Sequence, residues 1–200
     1  GAELAVERTP LRTPIQIAPL VNREAECRVI DACLDQLRAG QGGVLFIEGP
    51  AGIGKTRLAR ELVARAQQRA IRALVGSAYE VEGAIAYSPF VEILQAALQE
   101  SPAGRELIPA EIASVLPGLV KDSRPVPNSD PRAAQTYLFA AIAEFLRQRA
   151  ASSPLVVVLE NCHAADRGSL ELLHFLGRRL QDAALLLVGT FRNDGAATRE

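Results

Sequence analysis

Hydrophobic positions along the chain follow two patterns that replace each other in turn. Four short and nearly continuous apolar runs are typical of strands buried in a parallel sheet. They predict strands over residues 44–47, 71–75, 155–159 and 185–190. The first run follows Gly42-Gly43, and we expect it to be buried on both faces.

Between these runs, apolar residues recur at the spacing of an amphipathic helix. Helices are predicted over 23–39, 55–70, 89–99, from 131 onward, and over 169–180. Gly40 is a stop signal for the first helix, while Asp130 and Asp166 are positioned to cap the last two. Strands that alternate with helices predict an α/β fold, a parallel sheet in a three-layer αβα arrangement. Ligands are expected beyond the carboxyl ends of its strands.

The segment between the first strand and the second helix carries the clearest chemical signature. It reads GPAGIGKT and matches the spacing G-x-x-x-x-G-K-[ST] of a P-loop. The glycines let backbone N–H groups turn toward phosphates, and the helix that begins at Lys55 adds the positive end of its dipole. Lys55 is expected to pair with the β- and γ-phosphates, and the Thr56 hydroxyl to ligate Mg²⁺. The nucleotide-binding residues predicted here are Gly49, Pro50, Ala51, Gly52, Ile53, Gly54, Lys55, Thr56 and Arg57.

A second set of polar residues follows the predicted strand 155–159. A P-loop ATPase needs an acid at such a strand end for the magnesium shell, and often a second acid that positions water. Glu160 is predicted to bind the metal together with Thr56. Asn161 can orient water but cannot accept its proton. With Arg192, which directly follows the last strand, Glu160 and Asn161 form the predicted catalytic set. His163 is interpreted as a structural residue.

Five stretches resemble a known family, the signal-transduction ATPases with numerous domains (STAND ATPases). The similarity is to the AAA-like domain found in large bacterial LuxR-type regulators and in proteins joined to cyclase or protein kinase domains. Besides the P-loop, these are residues 20–26, which are similar to the family motif L-V-G-R-E-x-E, and residues 86–92. Residues 154–166 are similar to P-L-V-V-V-L-D-D-x-H-W-A-D, and residues 189–192 are similar to G-T-Y-R. The resemblance implies that Arg23 lies near the nucleotide, that Arg192 can sense the γ-phosphate, and that the base is adenine.

The same resemblance implies the strand arrangement of the ASCE class of P-loop NTPases, in which the strand ending at Thr190 separates the P-loop strand from strand 155–160. It also implies a further strand and a helical lid after Arg192, which this sequence is expected to lack. An uncovered edge beside the P-loop strand would then invite self-association or capture of residues 15–17. Residues 1–19 are predicted to be a linker, and residues 20–200 the P-loop NTPase domain.

Three departures from the family pattern bear on activity. Asn22 replaces a glycine, Glu160-Asn161 replaces paired aspartates, and Ala164 replaces a tryptophan. The P-loop itself is unchanged, so binding of ATP or ADP with Mg²⁺ is still expected. Hydrolysis is expected to be slow because the general base is missing. The predicted function is an ATP-binding regulatory module of a larger signalling or transcription-regulating protein. The alternatives are a nucleotide-binding module that does not hydrolyse ATP, and a P-loop small-molecule kinase.

Composition narrows the expected partners. A net charge of −1 gives no electrostatic footprint for direct binding of nucleic acid or of an acidic membrane. No apolar run approaches the ~20 residues that span a bilayer, and three cysteines without paired spacing indicate reduced thiols in the cytoplasm. The chain begins with glycine and lacks methionine, which predicts a piece of a longer protein. The expected partners are other domains of that protein, with self-association on ATP binding.

Overall fold

Four parallel strands and the helices that connect them form the described part of the chain. The computed structural model describes residues 23–80, 86–100, 109–115 and 130–193. The helices are α1 (Glu24–Arg38), α2 (Lys55–Gln68), α3 (Ser88–Gln99), α4 (Ala110–Ser114), α5 (Pro131–Ser152) and α6 (Arg167–Arg179). The strands are β1 (Gly43–Gly49), β2 (Arg72–Ser77), β3 (Leu155–Glu160) and β4 (Leu185–Arg192), and a 3-10 turn covers Cys162–Ala164.

The strand order is β1-β4-β3-β2, and every neighbouring pair is parallel. β4 therefore lies between the P-loop strand and β3, which confirms the predicted separation of these two strands. All four strands end at the same edge of the sheet. The loops that follow β1, β3 and β4 consequently meet there, as ligand-binding loops do in parallel α/β sheets.

The sheet has a hydrophobic core on each side because successive strand residues point to opposite faces. On one side, Leu155, Val157 and Leu159 pack with apolar residues of α3, α5 and α6. On the other side, Val156 and Val158 pack with α1 and α2. The chain therefore has the predicted α/β fold with helices on both faces of the sheet.

Two predicted helix caps are confirmed. Asp130 Oδ1 accepts a hydrogen bond of 2.9 Å from the backbone N–H of Arg132, and Pro131 occupies the first turn of α5. Asp166 Oδ1 accepts one of 3.0 Å from the N–H of Ser169 at the start of α6. Both carboxylates satisfy backbone donors that have no partner within their helix.

The prediction that the first strand is buried on both faces was wrong. In β1, the exposed fractions of Val44 and Phe46 are 43% and 51%. Among the described residues, β1 pairs only with β4, so it lies at an edge of the sheet. The Phe46 ring packs edge-on against Phe191 of β4 at 5.3 Å, and the rest of that face remains exposed. An apolar run marks a strand, but the neighbouring elements decide how many of its faces are covered.

Several predictions fall outside the described residues. They concern the linker 1–19, the capture of residues 15–17, Asn22 and whatever follows residue 193. Within the predicted loop region between 99 and 130, the structure describes α4 and its immediate neighbours. Among the described residues, no helix combines the length and apolar composition that crossing a membrane would require.

Candidate nucleotide-binding site

The P-loop turns from β1 into α2 through backbone conformations that favour glycine. Gly52 has φ +76° and Gly54 has φ +101°, both in the left-handed region. A Cβ atom at either position would meet nothing within 4 Å, so the backbone angle rather than space favours glycine there. Gly54 directly precedes α2, and its carbonyl accepts the N–H of Leu58. The loop thus leads directly to the first backbone N–H groups of the helix, where an anion is favoured.

The Lys55 side chain folds back over the same loop. Its ammonium donates hydrogen bonds of 2.8 Å to the carbonyl oxygens of Gly49 and Pro50. These two contacts anchor the positive charge at the mouth of the loop. The ammonium is therefore held in place before any anion arrives, which lowers the ordering cost of binding one.

A polar cavity of about 460 Å³ opens beside the loop. Its lining residues come from the P-loop, from α2, from the segment after β3 and from the last residue of β4. Its lining consists of Ala51, Gly52, Gly54, Lys55, Thr56, Arg57, Arg60, Asn161, His163 and Arg192. Four of these side chains are cationic and none of them is a carboxylate. Such a lining favours an anionic ligand.

Glu160 is the last residue of β3, directly before Asn161, and is half-buried. It follows Val156 and Val158 at the period of a strand, so it belongs to the face covered by α1 and α2. Burial raises the pKa of the Glu160 carboxyl, whereas Arg60 and a hydrogen bond from Ser77 act in the opposite direction. A carboxylate that is partly stripped of water gains from a nearby cation.

The residues fit a magnesium ion that is shared with phosphates. Thr56 lines the cavity, and Glu160 ends β3 directly before Asn161, which lines it as well. Within the described ranges, no group of three or more His, Cys, Asp or Glu residues could hold a metal by itself. Magnesium commonly takes only one or two protein ligands and fills its octahedron with phosphate oxygens and water. This protein would have to bind the ion in that way.

Asn161 adopts a left-handed conformation, with φ +57°. Asparagine tolerates this region better than most residues. Its backbone N–H donates a hydrogen bond of 2.9 Å to the hydroxyl of Thr190, which is fully buried in β4. The bond joins the ends of two adjacent strands. It fixes the direction in which the chain leaves β3 and helps to place the Asn161 residue at the cavity.

Arg192 lies at the end of β4, directly opposite Gly49 in the strand register. The next residue, Asn193, donates its N–H to the Gly49 carbonyl at 3.0 Å. Strand pairing therefore continues up to the first residue of the P-loop. This pairing brings Arg192 to the cavity although it lies 138 positions after Gly54 in the sequence.

A second cavity, of about 220 Å³, is lined by residues of α1, β1 and the start of α2. Arg23 lines this cavity. One of its guanidinium nitrogens donates to the Glu26 carboxylate at 2.6 Å, and the other donates to the Ile53 carbonyl at 3.0 Å. The hydrogen bond from Arg23 lowers the pKa of Glu26. The lining also includes the apolar side chains of Val29, Leu45, Phe46, Ile47 and Leu58. This cavity differs from the first one in being partly apolar.

The structure thus distributes the predicted site residues over two neighbouring cavities. Eight of them line the polar cavity, where Lys55 and Gly54 are shared with the second one. Arg23 and Ile53 line the second cavity, and the carbonyls of Gly49 and Pro50 hold Lys55. Glu160 lines neither of these two cavities and lies at the end of β3, directly before Asn161.

Two residues of the polar cavity were missed as site residues. Arg60 lies four positions after Thr56 in α2, so helical spacing alone puts both on one face. His163, interpreted from sequence as structural, is exposed and lines the cavity. Ser77 was missed as well: it lies opposite Glu160 in the β2–β3 register. The sequence contains no signal for that register.

Comparisons with known proteins agree with this geometry. The family model described as the AAA ATPase domain matches residues 19–188. An uncharacterized protein of Rhizobium meliloti (strain 1021) is 31% identical over an alignment of 191 residues. The alignment covers 87% of this chain. The chain spans only 18% of the length of that curated relative.

Two solved structures share the fold. The Cdc6p protein from Pyrobaculum aerophilum superposes with a TM-score of 0.56 at 19% identity, over 94% of this chain and 42% of that one. A chain in the structure of Drosophila ORC bound to DNA gives 0.51 at 17% identity, over 87% of this chain and 38% of that one. At such low identity the likeness shows the fold alone.

Proposed function

This chain belongs to the AAA ATPase domain family, and we propose that it binds Mg-ATP at the P-loop and hydrolyses it slowly. One observation carries the proposal: a single cationic cavity gathers Lys55 and Thr56 with Asn161 and Arg192. These residues come from α2 and from the ends of two different strands. A structural turn that only resembled a P-loop would have no reason to face such a cavity.

Each residue has a distinct task in this proposal. The P-loop amides and the Lys55 ammonium bind the phosphates. The Thr56 hydroxyl and Glu160 hold the magnesium ion, which supplies electrostatic stabilisation of the charge that develops on the transferred phosphoryl group. Arg192 reads the terminal phosphate from the end of β4. The partly apolar cavity edged by Arg23 suits a purine base, and adenine is inferred from the STAND resemblance.

Slow hydrolysis follows from the side chain of Asn161. Its amide can hold a water molecule in line with the terminal phosphate, but it cannot take the proton of that water. The nucleotide would then stay bound for long periods. A long-lived ATP state is useful to a switch, which is the role that the STAND resemblance implies.

We assign this domain to a larger signalling or transcription-regulating protein of the STAND class. The motifs at 20–26, 154–166 and 189–192 support the class. The small share of the curated relative that this chain covers supports the larger protein. The same proposal includes a linker over residues 1–19 and a P-loop NTPase domain over residues 20–200. It also includes a cytoplasmic location, contacts with other domains of the same protein, and self-association on ATP binding.

A second candidate is a nucleotide-binding module that does not hydrolyse ATP, which the amide at position 161 favours. Calorimetric titration with ATP, with and without Mg²⁺, tests binding, and single-turnover hydrolysis separates the two candidates. Phosphate transfer to added small-molecule acceptors would instead indicate a kinase. No binding of ATP by the folded chain would refute the proposed function itself.

Thr56→Ala tests the metal part of the proposal. Because only a metal ligand is lost, the variant should lose much of the Mg²⁺ dependence of ATP binding and retain binding without the metal. Full retention of the Mg²⁺ dependence would remove the Thr56 hydroxyl from the metal site.

A further inference from the structure

Arg60 is a cation of α2 that the P-loop pattern does not include. It lies one helical turn after Thr56, on the same face of the helix, and its side chain is exposed. It lines the polar cavity together with Lys55 and Asn161. Its position therefore places a positive charge on the helix wall of the cavity, beyond the loop.

Two other arginines, Arg65 in α2 and Arg69 directly after its end, have an evident structural role. Arg65 and Arg69 each contact Asp31 of α1 at 2.6 Å, and Arg65 also contacts Glu61 at 2.8 Å. These ion pairs clamp α1 onto α2. Within the described residues, the structure shows no such clamp for Arg60. Helix packing therefore does not explain its charge.

Burial raises the pKa of the Glu160 carboxyl, and the charge of Arg60 opposes that rise, so Arg60 acts on the group at the end of β3. Glu160 ends β3 next to Asn161, and the metal and the terminal phosphate are expected at that strand end. With inner phosphates in the loop, Arg60 would lie on the side of the terminal phosphate. A magnesium ion at Glu160 would compensate the charge of that carboxylate and leave the Arg60 guanidinium available to a phosphate oxygen.

We propose that Arg60 binds the terminal phosphate of ATP, so that this residue helps the site to distinguish ATP from ADP. The inference rests on the proposed function, because it requires a nucleotide at the P-loop. Arginine suits the task since its planar guanidinium donates two parallel hydrogen bonds to phosphate oxygens.

The test compares Mg-ATP and Mg-ADP affinities of the full chain and of Arg60→Gln by calorimetric titration. Arg60→Gln should weaken ATP binding by about tenfold or more, the usual effect of losing a charge-assisted hydrogen bond. ADP affinity should change less than about twofold, because ADP lacks the terminal phosphate. Arg167→Gln is the matched control: this arginine of α6 has a side chain that is 92% exposed, and its removal should change neither affinity.

A role for Arg60 that does not involve the phosphate predicts the opposite change in Mg-nucleotide affinity. If Arg60 only neutralises Glu160 and repels the metal, Arg60→Gln should bind both Mg-nucleotides more tightly than the parent. Tighter binding, unchanged binding, or an equal loss for ATP and ADP would each overturn the proposal. Arg60→Gln should still unfold cooperatively without nucleotide, which shows that the variant is folded, and Arg60→Lys should recover part of the ATP affinity. A folded parent that binds neither nucleotide would overturn the proposed function rather than the assignment of Arg60 alone.

Discussion

β1 and β3 both lead into loops of the candidate site, yet their surroundings differ. All five apolar residues of β3, Leu155–Leu159, are buried between two helical layers and two neighbouring strands. In β1, Ile47 is buried, whereas Val44 and Phe46 remain about half exposed. The P-loop thus follows the less enclosed of the two strands, and the loop assigned to hydrolysis follows the more enclosed one.

This difference separates two physical demands. The P-loop positions its own amides through glycine conformations and the start of α2, so it needs little support from the far face of β1. Glu160 and Asn161 depend on the exact end of a strand, which the Thr190 bond and packing on both faces define. Binding should therefore be robust to changes around β1, and turnover should be sensitive to changes around β3.

The largest expected effect is on stability, and one substitution made in both strands measures it. Leu155→Ala should lower the free energy of unfolding by about 2–5 kcal/mol, because it opens a cavity in a core that cannot collapse around it. Leu45→Ala, in the half-exposed β1, should cost less than about 2 kcal/mol. Urea denaturation of both variants checks the comparison. Equal losses would mean that β1 is as enclosed as β3 in solution.

The next effect concerns the loop after β1. Lys55→Ala removes the ammonium held by Gly49 and Pro50 and should weaken ATP binding by roughly 10- to 100-fold, a loss of about 1.5–3 kcal/mol. Calorimetric titration of the folded variant measures it. An affinity equal to that of the parent would exclude Lys55 from the site.

The loop after β3 is expected to control the rate instead. Asn161→Asp restores a group that can accept a proton, so single-turnover hydrolysis should accelerate by about tenfold or more, while ATP affinity changes little. The parent should be slower than about 1 s⁻¹, a low but ordinary enzyme rate. A parent already faster than this, or an Asn161→Asp variant whose hydrolysis rate does not rise, would show that Asn161 does not occupy the position of the general base.

The smallest effect follows from the raised pKa of Glu160 in the protein without nucleotide. Because the folded state holds this proton to higher pH than the unfolded state does, stability falls as pH rises through the window between the ordinary and the raised pKa. Glu160→Gln should therefore raise the thermal midpoint at pH 8, and this gain should disappear below an ordinary glutamate pKa of about 4.3. A gain that is the same at pH 8 and pH 4 would not come from this carboxylate.

Local sequence signals determined most of the elements of this protein. Apolar runs and helical spacing placed the four strands and five of the helices, and Asp130 and Asp166 marked helix starts because capping is a contact between near neighbours. The P-loop was readable for the same reason: its glycines, lysine and threonine act within eight consecutive residues.

The tertiary structure alone decided what depends on partners far apart in the chain. It placed Ser77 opposite Glu160, joined Asn161 to Thr190, brought Arg60 close to Glu160, and left half of β1 uncovered. Apolar period shows that a segment is a strand, but strand order and register come from the packing of whole layers. For that reason the sequence identified the P-loop residues more fully than the residues that surround them.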